Sequence, residues 1–349
     1  MSDSGAAGKQ AQFPWPMLAS LASVARKAWP GFLLCAALGV AAQLVGDHVG
    51  GPPILWALGL GIVLHRLSGV AVMAPGFEFV VRQVLRLGVG LLGIRITFGH
   101  VAELGAPMAL ALVALVALTV ALGLAATRAM RLPVALGLLT AGATAICGAS
   151  AAIAIAAALP AYAERDRDMT LAVVGTAALS TVAMVAYPPL AAWLGLDPLS
   201  TGVFLGGSIH DVAQVVGAGY SVSPQVGDTA TIVKLWRVAL LFPVVVGVAL
   251  WASRSTETAA GARRPPVLPW FLVLFSLLVV VNSIGLVPAT VRLGIEGLSR
   301  WLILFAMVAL GFKTSLVQMA RMGARPAMLL VFETVVVAGL ALAAIKLVY

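Results

Sequence analysis

The chain has 349 residues, of which 61% are hydrophobic and 10% are charged. Soluble domains have about 45 to 50% apolar and about 25% charged residues, so this composition excludes a soluble globular protein and indicates a polytopic membrane protein. The net charge of +9 comes from basic residues at the ends of apolar runs. The positive-inside rule explains that pattern, and we expect no nucleic acid as a partner.

The polar amino terminus is set apart from the rest of the chain. We expect residues 1–28 to form a cytoplasmic tail and residues 29–349 to form a single transmembrane domain. No other polar stretch is long enough to make a second domain, so any activity must lie within the membrane. Cys35 and Cys147 stand in apolar runs without metal-ligand partners in the sequence. We therefore expect two reduced cysteines, no metal and no cofactor.

Eleven apolar runs are candidates for membrane spans, because a helix needs about 20 residues to cross the hydrocarbon core. They cover residues 31–46, 53–66, 80–98, 107–127, 133–160, 169–194, 200–220, 230–252, 268–287, 298–315 and 326–348. Basic residues are concentrated in the loops on the side of the amino terminus. The positive-inside rule therefore predicts a cytoplasmic amino terminus and an external carboxyl terminus.

Two segments of the chain resemble each other. GIRITFGHVAELGAP starts at Gly93 and GFKTSLVQMARMGAR starts at Gly311, and each has a cation two residues after the glycine and a Gly-Ala pair further on. The first segment ends a span that runs outward, and the second ends a span that runs inward. We therefore predict an inverted repeat, which is typical of secondary transporters.

Two of the spans have the composition of interrupted helices. Small and hydroxyl residues fill TAGATAICGASAAIAIAAALP, from Thr140, and a Gly-Gly-Ser-Ile-His-Asp run interrupts the seventh span at Gly206. We predict an all-α fold in which these two broken helices cross, with free N–H groups at the new helix starts that attract an anion. For the fifth span, a close-packed interface of small residues is the alternative.

The candidate substrate-binding residues gather at these two interruptions and in the eighth span. Ser208 is expected to cap the helix that follows it, and Lys234 and Arg237 are expected to supply positive charge. The set is Thr144, Cys147, Gly148, Ala149, Ser150, Gly207, Ser208, His210, Asp211, Gln214, Lys234 and Arg237.

Several charged residues have structural alternatives. Lys234 and Arg95 could extend along the helix to the membrane surface. Arg237 lies deeper and is expected to need a carboxylate or a bound anion, so a structural pair with Asp211 would involve no substrate. Proton coupling, if present, would use His210, Asp211 and Glu333, since the reference pKa of histidine, about 6.5, lies near the working range.

Four motifs together carry a family resemblance. CGASAAIA, GGSIHDVAQVVGAG, KLWRVALLFP and GLLGIRIT resemble the YeiH-like family of bacterial inner-membrane proteins, which are described as sulfate exporters. The resemblance runs from about residue 30 to near the end of the chain. It implies an inner-membrane anion carrier connected with sulfur metabolism.

A more distant resemblance is to cation–proton antiporters and bile-acid symporters, in which crossing broken helices hold the site. Those carriers have paired acidic residues beside the crossing. The stretch 140–160 has none, so cation exchange is not expected.

These observations lead to one expected function and to alternatives. We expect a secondary carrier in the lipid bilayer that exports a small sulfur-containing anion, such as sulfate, sulfite or a sulfonate. A carrier of another organic anion, or a cation-coupled solute symporter that uses Asp211 and Glu333, is the alternative within transport. An intramembrane enzyme with Cys147 or Ser150 as nucleophile is disfavoured, because the adjacent His210 and Asp211 would point about 100° apart on a helix. A homodimer is left open.

Overall fold

The computed structural model describes residues 15–160, 162–255, 269–313 and 323–349, and every regular element in these ranges is helical. The α-helices are α1 Trp15–Val49, α2 Pro53–Val63, α3 Ala74–Phe79, α4 Leu85–Leu91, α5 Phe98–Ala129, α6 Val134–Ala145, α7 Ala149–Ala158, α8 Arg165–Trp193, α9 Pro198–Ser208, α10 Val212–Val222, α11 Pro224–Ala239, α12 Leu241–Ser255, α13 Trp270–Ser283, α14 Ala289–Lys313 and α15 Ala324–Val348. A π-helical turn joins α3 to α4, and a short 3-10 helix follows α4.

Six stretches of helix are long and apolar enough to cross a membrane. They are Lys27–Val49, Phe98–Ala129, Arg165–Trp193, Pro224–Leu250, Ala289–Phe312 and Ala324–Val348. The predicted all-α membrane fold is therefore confirmed. The predicted count of eleven spans is not, because several of the remaining apolar helices have only 10 to 17 residues.

The fifth predicted span folds back on itself. α6 ends at Ala145 and α7 begins at Ala149, and between them Gly148 has a φ of 62°, in the left-handed region that favours glycine. Gly142 of α6 packs directly against the side chain of Ile155 in α7. A continuous helix would hold these two residues about 20 Å apart. We call residues 134–158 hairpin 1.

Both ends of hairpin 1 lie on the same face of the protein. Leu136 near the start of α6 packs with Leu171 near the start of α8 and with Leu330 near the start of α15. One cavity is lined both by Pro133, just before α6, and by Tyr162, just after α7. The prediction that this segment crosses the membrane is therefore wrong. Each arm is about 15 to 18 Å long, roughly half of the hydrocarbon thickness.

The seventh predicted span is a second hairpin, residues 198–222. Gly202 of α9 packs against Thr229 of α11, and Gly206 packs against Val233, so the contacts advance in the same direction along both helices and the helices are parallel. Gly219 of α10 packs against Gly227 at the start of α11. α9 therefore runs alongside α11, and α10 returns against it. This segment, hairpin 2, also enters and leaves on one face.

The two hairpins enter from opposite faces, because α8 joins them and its 29 residues extend about 43 Å. They meet tip to tip instead of crossing, which corrects the predicted pair of crossing helices. The chain turns back because small residues allow close helix packing. In hairpin 1 Gly142 lets α7 approach α6, and in hairpin 2 Gly202 and Gly206 let α11 approach α9.

The helices pack as two groups. α1 to α4, α13 and α14 pack on one another and form what we call the helix frame, whereas α5 to α12 and α15 form the hairpin body. Contacts between the groups are sparse and are made mainly by α10 against α2, α4 and α14. The inverted repeat stays a prediction, since its second copy passes through residues 314–322, outside the described ranges.

Candidate functional site at the hairpin tips

Lys234 of α11 joins the two tips. Its side chain is fully buried, and Nζ donates hydrogen bonds to the carbonyl oxygens of Ile146 in hairpin 1, at 2.6 Å, and Ile209 in hairpin 2, at 2.9 Å. The alternative in which Lys234 extends to the membrane surface is therefore wrong. These two bonds use two of the three N–H donors of the ammonium group.

Arg237, one turn further along α11, makes the same connection with more hydrogen bonds. Nε and Nη2 donate to the carbonyls of Thr144 and Ala145 at 2.6 to 2.9 Å, and Nη1 donates to the carbonyls of Gly206, Gly207 and Ile209 at 2.8 to 3.3 Å. The last carbonyls of a helix have no intrahelical partner and carry the negative end of its dipole. Arg237 therefore satisfies the carboxyl ends of α6 and α9 together.

The prediction that Arg237 needs a carboxylate or a bound anion is corrected by this geometry. The ion pairs found in the described ranges join Arg82 to Glu78, Arg95 to Asp228 and Arg292 to Glu296. Asp211 is thus not the structural partner of Arg237. Backbone carbonyls, which side-chain reasoning overlooks, take its place.

The amino-terminal ends of α7 and α10 are close together. A Cβ built on Gly148, the N-cap of α7, would lie 3.9 Å from Cβ of Asp211, the N-cap of α10, and 3.7 Å from Oγ1 of Thr176 on α8. Ala149 and Ser150 at the start of α7 are partly exposed, and Gly148 has no side chain to cap that helix. The positive end of α7 is therefore open beside Asp211.

Asp211, and not Ser208, caps α10. Its carboxylate accepts a hydrogen bond from the N–H of Ala213 at 3.0 Å, and its own N–H donates to Oγ of Ser180 on α8 at 3.0 Å. Ser208 is the last residue of α9, and its hydroxyl donates to the carbonyl of Phe204 at 2.5 Å. The prediction that Ser208 caps the next helix is therefore wrong, because α9 continues through it.

Two polar groups beside Asp211 are buried without a full set of partners. Gln214 Nε2 lies 3.5 Å from Oγ1 of Thr181, and its Oε1 has no hydrogen bond within the described ranges. His210 Nε2 lies 3.0 Å from Oγ1 of Thr334. The Thr334 hydroxyl donates to the carbonyl of Leu330, so His210 Nε2 is the donor.

Nδ1 of His210 has no hydrogen-bond partner among the described residues. An imidazole that donates only from Nε2 is neutral.

Glu333 of α15 is buried among hydroxyl groups. Oε1 accepts a hydrogen bond from Thr140 at 2.9 Å, and Oε2 accepts one from Thr144 at 3.4 Å. Gly123 of α5 provides the space for this carboxylate, since a Cβ at position 123 would lie 2.9 Å from Oε1 of Glu333. The sequence identified Glu333 but missed its partners, although Thr140 and Thr144 share a face of α6 at the i and i+4 spacing.

The remaining predicted positions are also located. Cys147 is buried in the tip of hairpin 1, and both cysteines are free, as predicted. Arg95, predicted to extend to the surface, instead pairs with Asp228 of α11 at 3.2 Å and lies 5.6 Å from the ring centre of Tyr220 on α10. No pattern in the sequence indicates this pair, which joins residues 133 positions apart.

Two hairpins that meet tip to tip inside a bundle of apolar helices define a multi-pass membrane protein with a polar site among its helices. The chain belongs to the family described as "Conserved hypothetical protein 698", whose model matches residues 30–330. This finding confirms the resemblance seen in the sequence.

Several curated relatives are similar over most of their length. UPF0324 membrane protein TauZ of Paracoccus denitrificans is 49% identical over 314 residues, which cover 89% of this chain and 93% of TauZ. UPF0324 membrane protein CT0845 of Chlorobaculum tepidum is 44% identical over 91% of this chain and 89% of its own length. UPF0324 membrane protein RB0971 of Rhizobium meliloti is 45% identical over 91% and 93%. No solved structure matches the chain.

Proposed function

We propose that the protein is a secondary membrane carrier that binds a small sulfur-containing anion between the amino-terminal ends of α7 and α10 and exports it. The observation that carries the proposal is the approach of Gly148 to Asp211, which brings the two helix starts together. Helix starts inside a membrane protein are suited to anions, because their free N–H groups and the positive dipole end both favour negative charge.

The arrangement of the other helix ends supports an anion. Lys234 and Arg237 neutralise the carboxyl ends of α6 and α9, so the negative dipole ends of the hairpin arms are already satisfied. The positive ends of α7 and α10 are the ones left to face a ligand. Among the residues that the structure describes, Asp211 provides the negative group there, and it is engaged as the cap of α10.

The polar groups around the helix starts match an oxyanion. Hydroxyls of Ser150 and Ser180 and the N–H groups of α7 can donate to oxygen atoms of a sulfate, sulfite or sulfonate group. The rim of this site belongs to both hairpins and to α8. A ligand bound there would touch three elements of the hairpin body and would move with it.

The direct test is exchange in proteoliposomes. Vesicles loaded with sulfite, sulfate or methanesulfonate are diluted into labelled anion, and uptake is compared with that of vesicles loaded with chloride or with sodium glutamate. We expect the labelled anion to be taken up only by vesicles that are loaded with a sulfur oxyanion. Uptake that depends on sodium and ignores anion competitors would contradict the proposal and favour a cation-coupled symporter that uses the partly exposed carboxylate of Asp211.

A matched pair of variants locates the site. Gln214→Glu keeps the shape of a fully buried side chain but adds negative charge beside the start of α10, so exchange is expected to fall by roughly tenfold or more. Gln83→Glu makes the same chemical change at an exposed position and is expected to leave exchange unaffected. Equal loss in both variants would show that the site lies elsewhere.

We propose a carrier and not an enzyme, because the hydrogen bond of His210 found in the described ranges goes to Thr334 and not to Cys147 or Ser150. The proposed location is the bacterial inner membrane, with a cytoplasmic amino terminus. The proposed assembly is a homodimer. Its test is the mass of the purified protein in detergent, after the mass of the bound detergent is subtracted.

A further inference from the structure

We infer that Glu333 takes up one proton when a singly charged anion binds between the hairpins, so that proton and anion move together without net charge. This inference rests on the proposed function and deepens it. It names the coupling ion, the residue that binds it, and a substrate class, a monovalent sulfonate or hydrogensulfite. Export with a proton occurs when the outward gradient of this anion exceeds the inward proton gradient.

Four ionisable side chains lie at or beside the hairpin tips. Lys234 and Arg237 contribute two positive charges, and Asp211 and Glu333 contribute two negative charges when both are ionised. Within the described ranges only Nε2 of His210 has a hydrogen-bond partner, as in a neutral imidazole, so His210 is counted without charge. These four groups therefore sum to zero. Arg86 of α4 also acts on Asp211 through space, but it is partly exposed and solvent screens its charge, so it is not counted with them. A buried net charge is strongly unfavourable in a low-dielectric interior, so a monovalent anion is accommodated best together with one proton.

The two carboxylates are not equivalent sites for that proton. Asp211 accepts a backbone N–H at the positive end of α10, an interaction that is strongest when the carboxyl group is ionised. Glu333 faces only the neutral hydroxyls of Thr140 and Thr144. Neither a helix start nor a cation is among the contacts found for it in the described ranges. Of the two groups, Glu333 loses less when it is neutralised.

Glu333 is also connected to both hairpins. Thr144 donates its hydroxyl to Glu333 and its carbonyl accepts from Arg237, so one residue of hairpin 1 contacts the carboxylate and the cation. The next residue of α15, Thr334, accepts from His210 at the tip of hairpin 2. Protonation of Glu333 weakens the acceptor for Thr144 and frees the tip of hairpin 1 to adjust around a bound anion.

Other elements packed on α15 bring no charged side chain to Glu333 in the described ranges. α5 contributes Gly123 there, α6 contributes threonines, and α9 has no titratable residue. The charged residues of α8 lie in its first turn, where Asp168 pairs with Tyr162, and Tyr187 of α8 packs against Phe204 of α9. The proton comes from water and returns to water, and no bond other than the carboxyl O–H forms or breaks.

The experiment uses the full chain in proteoliposomes with labelled methanesulfonate. An inward proton gradient is expected to drive uptake in the wild type, and clamping the membrane potential with potassium and valinomycin at different values is expected to leave the rate unchanged. In Glu333→Gln, exchange at equal pH is expected to continue while the pH gradient no longer drives uptake. Glu103→Gln, at an exposed position of α5, is the matched control and is expected to behave as wild type.

The possible outcomes separate the two proposals. Absence of anion exchange in the wild type overturns the proposed function itself. Exchange that ignores the pH gradient in the wild type, or gradient-driven uptake that persists in Glu333→Gln, overturns only the inference. Uptake that depends on the membrane potential overturns the stoichiometry of one proton per monovalent anion.

A second measurement does not require transport. Infrared difference spectra of the purified protein, with and without methanesulfonate, are expected to show a new carboxylic acid C=O band in the wild type that is missing in Glu333→Gln and still present in Asp211→Asn. If Glu333→Gln folds but exchanges nothing, this band decides the question. A band lost in Asp211→Asn and retained in Glu333→Gln would assign the proton to Asp211 and contradict the inference.

Discussion

At the scale of single residues, the most unusual feature is the burial of two cations whose partners are carbonyl groups. An unpaired charge at membrane depth is costly, and it persists where it has a structural or functional role. Here Lys234 and Arg237 each bind both hairpins. They hold the tips at a fixed distance. In the proposed function the ligand therefore binds at the other helix ends, the amino-terminal ends of α7 and α10.

Arg237→Ala removes the six hydrogen bonds that Arg237 donates and leaves the carbonyls of Thr144, Ala145, Gly206 and Gly207 without this donor. Breaking a buried charged network costs about 3 to 5 kcal/mol, so we expect a clear fall in the melting temperature of the detergent-solubilised protein. Arg82→Ala, which removes an arginine whose side chain is 67% exposed, is the control and should unfold as the wild type does. A melting temperature of Arg237→Ala equal to that of the control would contradict the tip-joining role.

The sequence identified these residues better than it identified their partners. Lys234, Arg237, Asp211 and Glu333 all stand out because charge is rare in apolar runs, and all four lie at or beside the tips. Their contacts are with backbone carbonyls, a backbone N–H and threonine hydroxyls. Such partners carry no charge and occur throughout the chain, so no pattern in the sequence distinguishes them.

At the scale of elements, the sequence predicted where the helices break but not which way the chain continues. Glycine, serine and threonine at 140–150 and 206–211 correctly indicated interruption. Whether an interrupted helix goes forward or turns back depends on what its second arm packs against. In hairpin 1 that contact is between Gly142 and Ile155, a spacing of thirteen residues that matches neither helical nor strand periodicity.

The contact between Gly142 and Ile155 predicts how substitutions at these two positions change stability. A methyl group added by Gly142→Ala would meet Cδ1 of Ile155, so the variant is expected to lose about 1 to 3 kcal/mol of stability. Ile155→Val removes that carbon, and the double variant should recover most of the loss in thermal unfolding. Ile153→Val, at a residue that is 52% exposed, should give no rescue. Rescue would not occur if the helix were straight, since the two residues would not touch.

Hairpin 2 begins with a capped helix outside the membrane-spanning segments. Asp197 accepts hydrogen bonds from the hydroxyl and the N–H of Ser200 and from the N–H of Leu199. Mainly through the Ser200 hydroxyl, these bonds lower the pKa of Asp197.

Because the folded pKa is the lower one, the stabilisation is present above the unfolded pKa of about 3.9 and is lost as pH falls through the folded value. We expect Asp197→Ala to lose about 1 kcal/mol at neutral pH, and the difference from wild type in thermal unfolding should shrink below pH 4.

At the scale of the whole molecule, the sparse contacts between the helix frame and the hairpin body separate the site from its support. Both hairpins, the two buried cations and Glu333 belong to the hairpin body, so they can move as a unit without breaking the bonds that define the site. The apolar runs of the sequence predict spans but not this division into two groups, because the division depends on which apolar faces pack together. Every span has such faces.

Arg95 and Asp228 form the ion pair that joins the two groups on the face where hairpin 2 enters. Arg95 belongs to the helix frame and Asp228 to α11 of the hairpin body, and Tyr220 donates a hydrogen bond of 2.5 Å to the same carboxylate. If the hairpin body moves against the frame during transport, this pair must break in each cycle. Its strength therefore affects both stability and exchange rate.

Asp228→Asn and Arg95→Gln separately test this contact. Each single variant is expected to lower stability and to change the exchange rate, and the double variant is expected to differ little from either one, because the same interaction is lost in all three. The double-mutant cycle, read in both thermal unfolding and methanesulfonate exchange, gives the coupling energy directly. Additive effects would show that the two side chains do not interact. Coupling in unfolding without coupling in exchange would show that the pair stays closed while the anion crosses, and the hairpins alone would then have to open and close the site.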